Sequence, residues 1–254
     1  MNILDRFKLT GKVAVVTGAA RGLGQGIALG LAEAGADIAA VDILEATETK
    51  AAVEKLGRRC VAVQGDITKR ECIEKIVGTT VAELKRIDIL FNNAGIIRRA
   101  PLTEFSEKDW DDVMNINIRA LFFLSQAVAK VMIAQGAGGK IINTASMLSF
   151  QGGIRVPSYT ASKSAVKGLT MLLANELAPH NIQCNAIAPG YMATDNTTAL
   201  RADEKRNAEI LARIPAGRWG APEDLQGAAV FLASGASDYV NGYTLAVDGG
   251  WLSR

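Results

Sequence analysis

The 254 residues predict one α/β domain, 1–254, in which a parallel sheet is doubly wound by helices on both faces. Three observations carry that expectation. Short apolar runs rich in β-branched residues recur along the chain, separated by stretches whose apolar residues have helical spacing. The first run empties into a glycine-rich turn that opens a helix, Gly18-Ala19-Ala20-Arg21-Gly22-Leu23-Gly24. A composition of 49% hydrophobic and 21% charged residues supplies one sizeable core, and no repeat, low-complexity tract or linker divides the chain.

Val13-Ala14-Val15-Val16-Thr17 reads as a strand buried on both faces. In the turn after it, glycines let the backbone pass close to a pyrophosphate. The following helix, with Ile27, Leu31 and Ala34 at helical spacing, turns its unpaired N–H groups and positive dipole end toward the same place. The spacing is G-x-x-x-G-x-G. A second strand, 37–41, ends at Asp42, about twenty residues beyond the turn, where a carboxylate can accept from both ribose hydroxyls and repel a 2′-phosphate. Asp42 therefore favours NAD, while Arg21, inside the turn, could pair with a 2′-phosphate and keeps NADP open. A third strand, 60–64, leads to Asp66, from where a carboxylate could accept from an adenine amino group. Thr68-Lys69-Arg70-Glu71 has the capping-box pattern of a helix start. A fourth strand, 87–91, runs into Asn92-Asn93-Ala94-Gly95.

Ser106-Glu107-Lys108-Asp109 repeats the capping-box pattern ahead of one long helix over 110–135. Its Val113, Ile116, Leu121, Leu124, Val128 and Met132 should face a core, where Asn115 and Asn117 need polar partners. The fifth strand, 140–144, delivers Ser146 to its carboxyl end, and a helix over 159–177 precedes the sixth, 181–187, which ends at Pro189-Gly190. Residues 191–219 lack a strand pattern, carry a charge cluster at 201–206, and are expected to form a lid. Pro222 opens the last helix, and 243–247 is the seventh strand. Alternating strands and helices imply βαβ units with ligands gathered at the carboxyl ends of the strands.

With 28 basic and 26 acidic residues the net charge is +2, with no block of one sign, so no nucleic-acid partner is expected. Cys60, Cys72 and Cys184 lie far apart and His180 is the sole histidine, which argues against a metal site and a disulfide framework. No uninterrupted apolar run approaches a membrane span, and residues 1–12 carry Asp5, Arg6 and Lys8 where a signal peptide would be apolar. A cytoplasmic protein without a membrane partner is expected.

Tyr159 and Lys163 stand four residues apart on a helical stretch and share one face. At an effective dielectric of about 20 and a separation of about 5 Å, ammonium and phenolate attract by roughly 3 kcal/mol. That would bring a phenol about two pKa units down toward neutrality.

Thr17-Gly18-x-x-x-Gly22-x-Gly24, Asn92-Asn93-Ala94-Gly95, Asn117, Ser146, Tyr159-x-x-x-Lys163 and Pro189-Gly190 together resemble the short-chain dehydrogenase/reductase family along the whole chain. The resemblance implies a Rossmann-like fold, a seven-stranded sheet in the order 3-2-1-4-5-6-7, and a homotetramer. It also implies Tyr159 as acid/base and Lys163 as the group that lowers its pKa and holds the nicotinamide ribose. Ser146 becomes the partner of the reacting oxygen, and Asn117 the support of a water relay. Cofactor contacts carry over to Gly18, Arg21, Gly22, Leu23 and Gly24 in the turn, and to Asp42, Asp66 and Ile67 at the adenosine end. Asn93, Ala94 and Gly95 follow, then Tyr159 and Lys163, with Pro189, Gly190, Met192 and Thr194 toward the nicotinamide. Ala19-Ala20-Arg21 departs mildly from the family pattern and reopens the NADP question.

Ile96-Ile97-Arg98-Arg99, the loop from Ser146 to Tyr159, and Ile214-Pro215-Ala216-Gly217-Arg218-Trp219-Gly220 resemble the branch of that family acting on deoxy sugar acids, of the 2-dehydro-3-deoxy-D-gluconate or 2-deoxy-D-gluconate type. The activity implied is reversible hydride transfer between a nicotinamide cofactor and a secondary alcohol, with Tyr159 taking the hydroxyl proton and no metal required. An arginine fork suits the substrate carboxylate, so Arg99, Arg155 and Arg218 join Ser146 and Tyr159 as substrate candidates, with Arg155 the best placed in sequence. Alternatives are a gluconate 5-dehydrogenase-like enzyme or a 3-oxoacyl thioester reductase using NADPH, the latter opposed by Asp42. A non-enzymatic nucleotide-binding regulator is opposed by the intact Ser146, Tyr159 and Lys163. A serine hydrolase is disfavoured, because Ser146 lies in no G-x-S-x-G elbow.

Overall fold

Seven parallel strands form one sheet in the order β3-β2-β1-β4-β5-β6-β7. The computed structural model describes residues 2–254. The first half of the chain gives β1 (Val13–Thr17), α1 (Gly22–Glu33), β2 (Asp37–Asp42), α2 (Thr47–Lys55), β3 (Cys60–Gln64), α3 (Arg70–Leu84) and β4 (Ile89–Asn92). The second half gives α4 (Glu107–Met114), α5 (Leu121–Gln135), β5 (Gly139–Thr144), α6 (Pro157–Leu177), β6 (Ile182–Pro189), α7 (Thr198–Ala202), α8 (Glu204–Arg213), α9 (Gln226–Ala233) and β7 (Thr244–Val247). Parallel neighbours need crossovers, which the helices supply.

Side chains alternate across each strand, so one strand feeds two cores. Ala14 and Val16 of β1, with Ile38 and Phe91, pack on Ile27 and Leu31 of α1 and Leu232 of α9. Val13 and Val15, with Val41 and Leu90, pack on Ile76 of α3 and on Leu124 and Met132 of α5. Strand order reverses between β1 and β4, which opens a crevice at their carboxyl ends.

Several expected boundaries move for local reasons. The long helix expected over 110–135 is broken by a π-helical turn, Asn115–Ala120, between α4 and α5. By length and composition Glu107–Gln135 could cross a membrane, yet its Leu124, Val128 and Met132 are fully buried against the sheet. β4 starts at Ile89, later than expected, because the side chain of Gln135 takes both the Ile87 N–H (2.9 Å) and its carbonyl (2.8 Å). Thr68 does not cap α3. It instead donates twice to Asp66 Oδ1, from its N–H at 2.9 Å and its hydroxyl at 2.8 Å, and Lys69 occupies the cap position. Ser106 does cap α4, accepting from the Asp109 N–H at 3.1 Å. The segment 191–219 holds α7 and α8 and is closed at its base by a bridge between Met192 and Gly220.

At the amino edge of the sheet, opposite that crevice, acids are clamped by cations. The buried Asp88 carboxylate accepts from the Val13 N–H (3.0 Å), from Arg86 (2.6 and 2.7 Å) and from Lys12 (3.2 Å). Asp37 binds Arg58 at 2.6 Å and Arg59 at 2.8 Å.

Candidate active site

The carboxyl ends of β1, β2, β4, β5 and β6 bring Gly18, Asp42, Asn93, Ser146 and Pro189 to one edge of the sheet. Gly18 and Gly22 adopt positive φ, 68° and 59°, where side chains strain the backbone. A Cβ on Gly24 would lie 1.9 Å from the Gly18 carbonyl oxygen. Position 24 is thus closed too tightly for any side chain. Arg21, at the N-cap of α1, makes no capping bond with its side chain, which leaves the first N–H groups of the helix uncapped by it. Such a cradle fits a pyrophosphate.

Four side chains hold the cradle. Thr17 Oγ1 accepts from the N–H groups of Asn93 and Ala94, each at 3.0 Å, and Asn93 Nδ2 returns a bond to the Thr17 carbonyl at 3.0 Å. The buried Thr49 hydroxyl donates to the Ala19 carbonyl at 2.7 Å. Asp42 accepts from the Ala20 N–H (Oδ2, 2.9 Å) and from the Leu44 N–H (Oδ1, 3.0 Å). Its carboxylate thus fastens the turn to the end of β2. Asp66 is partly buried and turned to Thr68, and Ile67 is buried beside it.

On the reaction side, Pro157 opens α6 and sets Tyr159 and Lys163 on its first turns. The Ser146 hydroxyl stands near the Tyr159 phenol, whose ionised form it favours, and accepts from the Leu148 N–H at 3.2 Å. Lys163 is buried, its Nζ 5.6 Å from the Tyr159 ring centroid and donating to the Thr144 carbonyl at 2.6 Å. Asn117 sits in the π-helical turn, which aims its amide inward. Its Oδ1 accepts from the Ile96 N–H at 2.9 Å, while Nδ2 donates to the Ile96 carbonyl (3.1 Å) and to Ser162 Oγ (3.0 Å). Ser162 in turn donates to the Tyr159 carbonyl at 2.8 Å. Gly95 lies between the amide and the lysine: a Cβ there would be 3.1 Å from Asn117 Oδ1 and 3.8 Å from Lys163 Nζ.

The electrostatics correct the expected tuning. Burial pushes the Tyr159 phenol up, and the Ser146 hydrogen bond and the Arg99 charge draw it only partly back. Burial pulls Lys163 down to about 8. The ammonium is directed at a carbonyl, and burial penalises the charged form of each group.

The arginines divide. Arg99 is near enough for its charge to act on both Tyr159 and Tyr191. Arg155 is exposed, with φ at 64°, and its carbonyl accepts from the Ala100 N–H at 3.1 Å. Arg218 forms a fork with Asp224 (2.6 and 2.7 Å) that holds that carboxyl down at about 2. Its guanidinium fastens the base of the 191–219 segment. Arg98 faces Asp109 at 3.3 Å. Below Pro189 and Gly190, Met192 is buried, and the Thr194 methyl lies 3.9 Å from where a Gly22 Cβ would stand. Tyr191 packs edge-on against Trp219 and Trp251, at 5.3 and 4.8 Å.

Sequence reasoning quoted Thr17 without giving it a role and missed Thr49, Ser162, Tyr191 and the Thr144 carbonyl. Ser162, three residues after Tyr159 on one helix, was open to inspection. Thr49 reaches the turn from a different helix and leaves no local signal.

A family profile described as enoyl-(acyl carrier protein) reductase matches residues 18–252. The 2-dehydro-3-deoxy-D-gluconate 5-dehydrogenase of Escherichia coli (strain K12) is 68% identical over 252 residues, covering 99% of this chain and 100% of the relative. The 5-keto-D-gluconate 5-reductase of the same organism is 48% identical over 251 residues, 98% of each chain. The crystal structure of a gluconate 5-dehydrogenase from Burkholderia cenocepacia J2315, in complex with NADP and tartrate, superposes with a TM-score of 0.94 at 42% identity and covers 100% of both chains.

Proposed function

The chain belongs to the short-chain dehydrogenase/reductase family, and from that premise we propose that it moves a hydride between a nicotinamide dinucleotide and a secondary alcohol or ketone of a deoxy sugar acid, 2-dehydro-3-deoxy-D-gluconate first among candidates. It is an oxidoreductase acting on gluconate-related sugar acids. The observation that carries the finer reading is that Ser146 and the Arg99 charge both act on the buried Tyr159 phenol, and Arg99 on Tyr191 as well. An acid/base phenol and a cation suited to a carboxylate thus stand within electrostatic reach of each other.

The cofactor, held by the glycine turn, Asp42, Asn93, Lys163 and Thr194, supplies the hydride chemistry. The chain's own residues handle the proton. For alcohol oxidation Tyr159 Oη takes the hydroxyl proton, and Ser146 steadies the reacting oxygen. Lys163 favours the phenolate once a substrate draws its Nζ toward the site. Asn117 and Ser162 keep Gly95 and α6 in register, so that lysine and phenol stay on one side of the crevice. Arg99 is the preferred carboxylate partner over Arg155 and Arg218. Asp42 still favours NAD, whereas the Burkholderia structure holds NADP, so the proposal admits both cofactors. A cytoplasmic homotetramer completes it.

The test is a steady-state screen of 2-dehydro-3-deoxy-D-gluconate, 2-deoxy-D-gluconate, gluconate, 5-keto-D-gluconate and a 3-oxoacyl thioester with both cofactors. The deoxy sugar acids should give the highest kcat/KM. A preference for gluconate would move the enzyme to the gluconate 5-dehydrogenase reading, and a preference for the thioester would overturn the sugar-acid reading.

A further inference from the structure

Arg21 Nη1 lies 2.8 Å from Asp195 Oδ2, with 67% and 73% of the two side chains exposed. This ion pair joins two parts of the site that are far apart in sequence. Arg21 is the one cation of the turn 18–24, and it follows Ala20, whose N–H is held by Asp42 Oδ2. Its backbone is therefore anchored at the ribose end, while its side chain carries no capping duty. Asp195 opens the 3-10 turn Asp195–Thr197 directly after Thr194, at the foot of the 191–219 segment. The nearby Arg201 is directed at the Thr194 carbonyl (3.2 Å) and Thr198. The Asp195 carboxylate thus meets Arg21 across the glycine turn, with Thr194 packed over Gly22 beneath it.

We propose that Asp195 is a cofactor-specificity residue, which competes with the 2′-phosphate of NADP for the Arg21 guanidinium and so holds the enzyme toward NAD. The proposal rests on the nicotinamide-dinucleotide reading above. A 2′-phosphate must draw Arg21 away from Asp195 to gain its fork, whereas a 2′-hydroxyl leaves the pair intact. Asp195 acts through Arg21 and touches neither ribose nor phosphate.

Exposed pairs of this kind are worth little, so the effect to look for is about two- to fivefold in Kd. Calorimetric titration of NAD and NADP without substrate separates the contributions. Asp195→Asn should tighten NADP by that factor and leave NAD unchanged. In an Arg21→Gln background the same substitution should change neither. Equal weakening of both dinucleotides by Asp195→Asn would make the pair a plain anchor of the segment and overturn the proposal. An unmoved NADP Kd, or an undiminished effect in the Arg21→Gln background, would do the same. A wild-type protein that binds neither dinucleotide would overturn the cofactor reading itself, and this proposal with it.

Discussion

At the scale of single residues, Tyr159, the proposed acid/base, and Lys163 sit in a medium that disfavours the charged form of each. Burial holds Tyr159 above the ordinary phenol range and brings Lys163 down to about 8. The direction for Tyr159 is opposite to that expected from Coulomb attraction alone, because spacing on a helix says which side chains share a face and nothing about desolvation. Tyr159→Phe removes the proton acceptor alone, so kcat should fall by about a thousandfold while dinucleotide Kd, read by calorimetry, stays within about twofold. Near-normal turnover would show the proton going elsewhere. The lysine makes a linkage prediction whose sign is fixed. Its folded pKa of about 8 lies below its ordinary 10.5, so between those values the unfolded chain binds more protons than the folded one. Relative to Lys163→Met, the wild type should therefore gain stability as pH rises from about 8 to about 10.5, by up to about 3 kcal/mol, and carry the full penalty below that window. Urea unfolding of both proteins across that pH range measures it, and parallel curves would refute it.

At the scale of elements, strands were easy to locate and their ends were not. β1 and β3 match the expected residues because their borders are Gly, Lys and Arg, signals carried by the chain itself. β4 and the long helix miss because a partner distant in sequence decides the boundary: Gln135 takes the backbone of Ile87, and the inward need of Asn117 is met by a π-helical turn. Capping shows the same division. Ser106 caps as its pattern says, whereas Thr68 is diverted to Asp66. The amino-edge clamp on β4 was invisible to pattern reading, since Asp88 looks like a polar slip inside an apolar run. Its carboxylate is buried and joins β1 to β4 through the Val13 N–H, with Arg86 and Lys12 around it. Asp88→Ala leaves a buried N–H and two cations without their acceptor, so it should cost about 3 kcal/mol in denaturant unfolding. Asp224→Ala, at the exposed Arg218 pair, should cost under about 1 kcal/mol. Equal losses would mean that burial is not what gives the clamp its weight.

At the scale of the whole molecule, the sheet order was legible only through resemblance, because periodicity places strands without saying which are neighbours. The homotetramer implied by the resemblance is a proposal, and the surface gives it a physical argument. Phe123 and Ile133 on α5 and Met171 and Leu172 on α6 remain exposed, on helices that cover the same face of the sheet. Apolar surface of that kind is seldom left open to water. A second unsatisfied surface is the edge strand β7, Thr244–Val247, which pairs only with β6, carries no charge and is flanked by the exposed Tyr243. The other edge, β3, is guarded by Lys75, which donates to the Gln64 carbonyl at 3.1 Å. Two distinct self-complementary surfaces are what a tetramer of D2 symmetry requires, while a dimer needs only one. Placing a charge on one surface should therefore halve the assembly and go no further. Leu172→Arg, half-exposed in the single chain, should fold normally by circular dichroism yet elute with the mass of a dimer in light scattering, where the proposal expects a tetramer from the wild type. A wild-type monomer would refute the assembly outright, and a variant that remains tetrameric would show that the α5 and α6 face is not one of its interfaces.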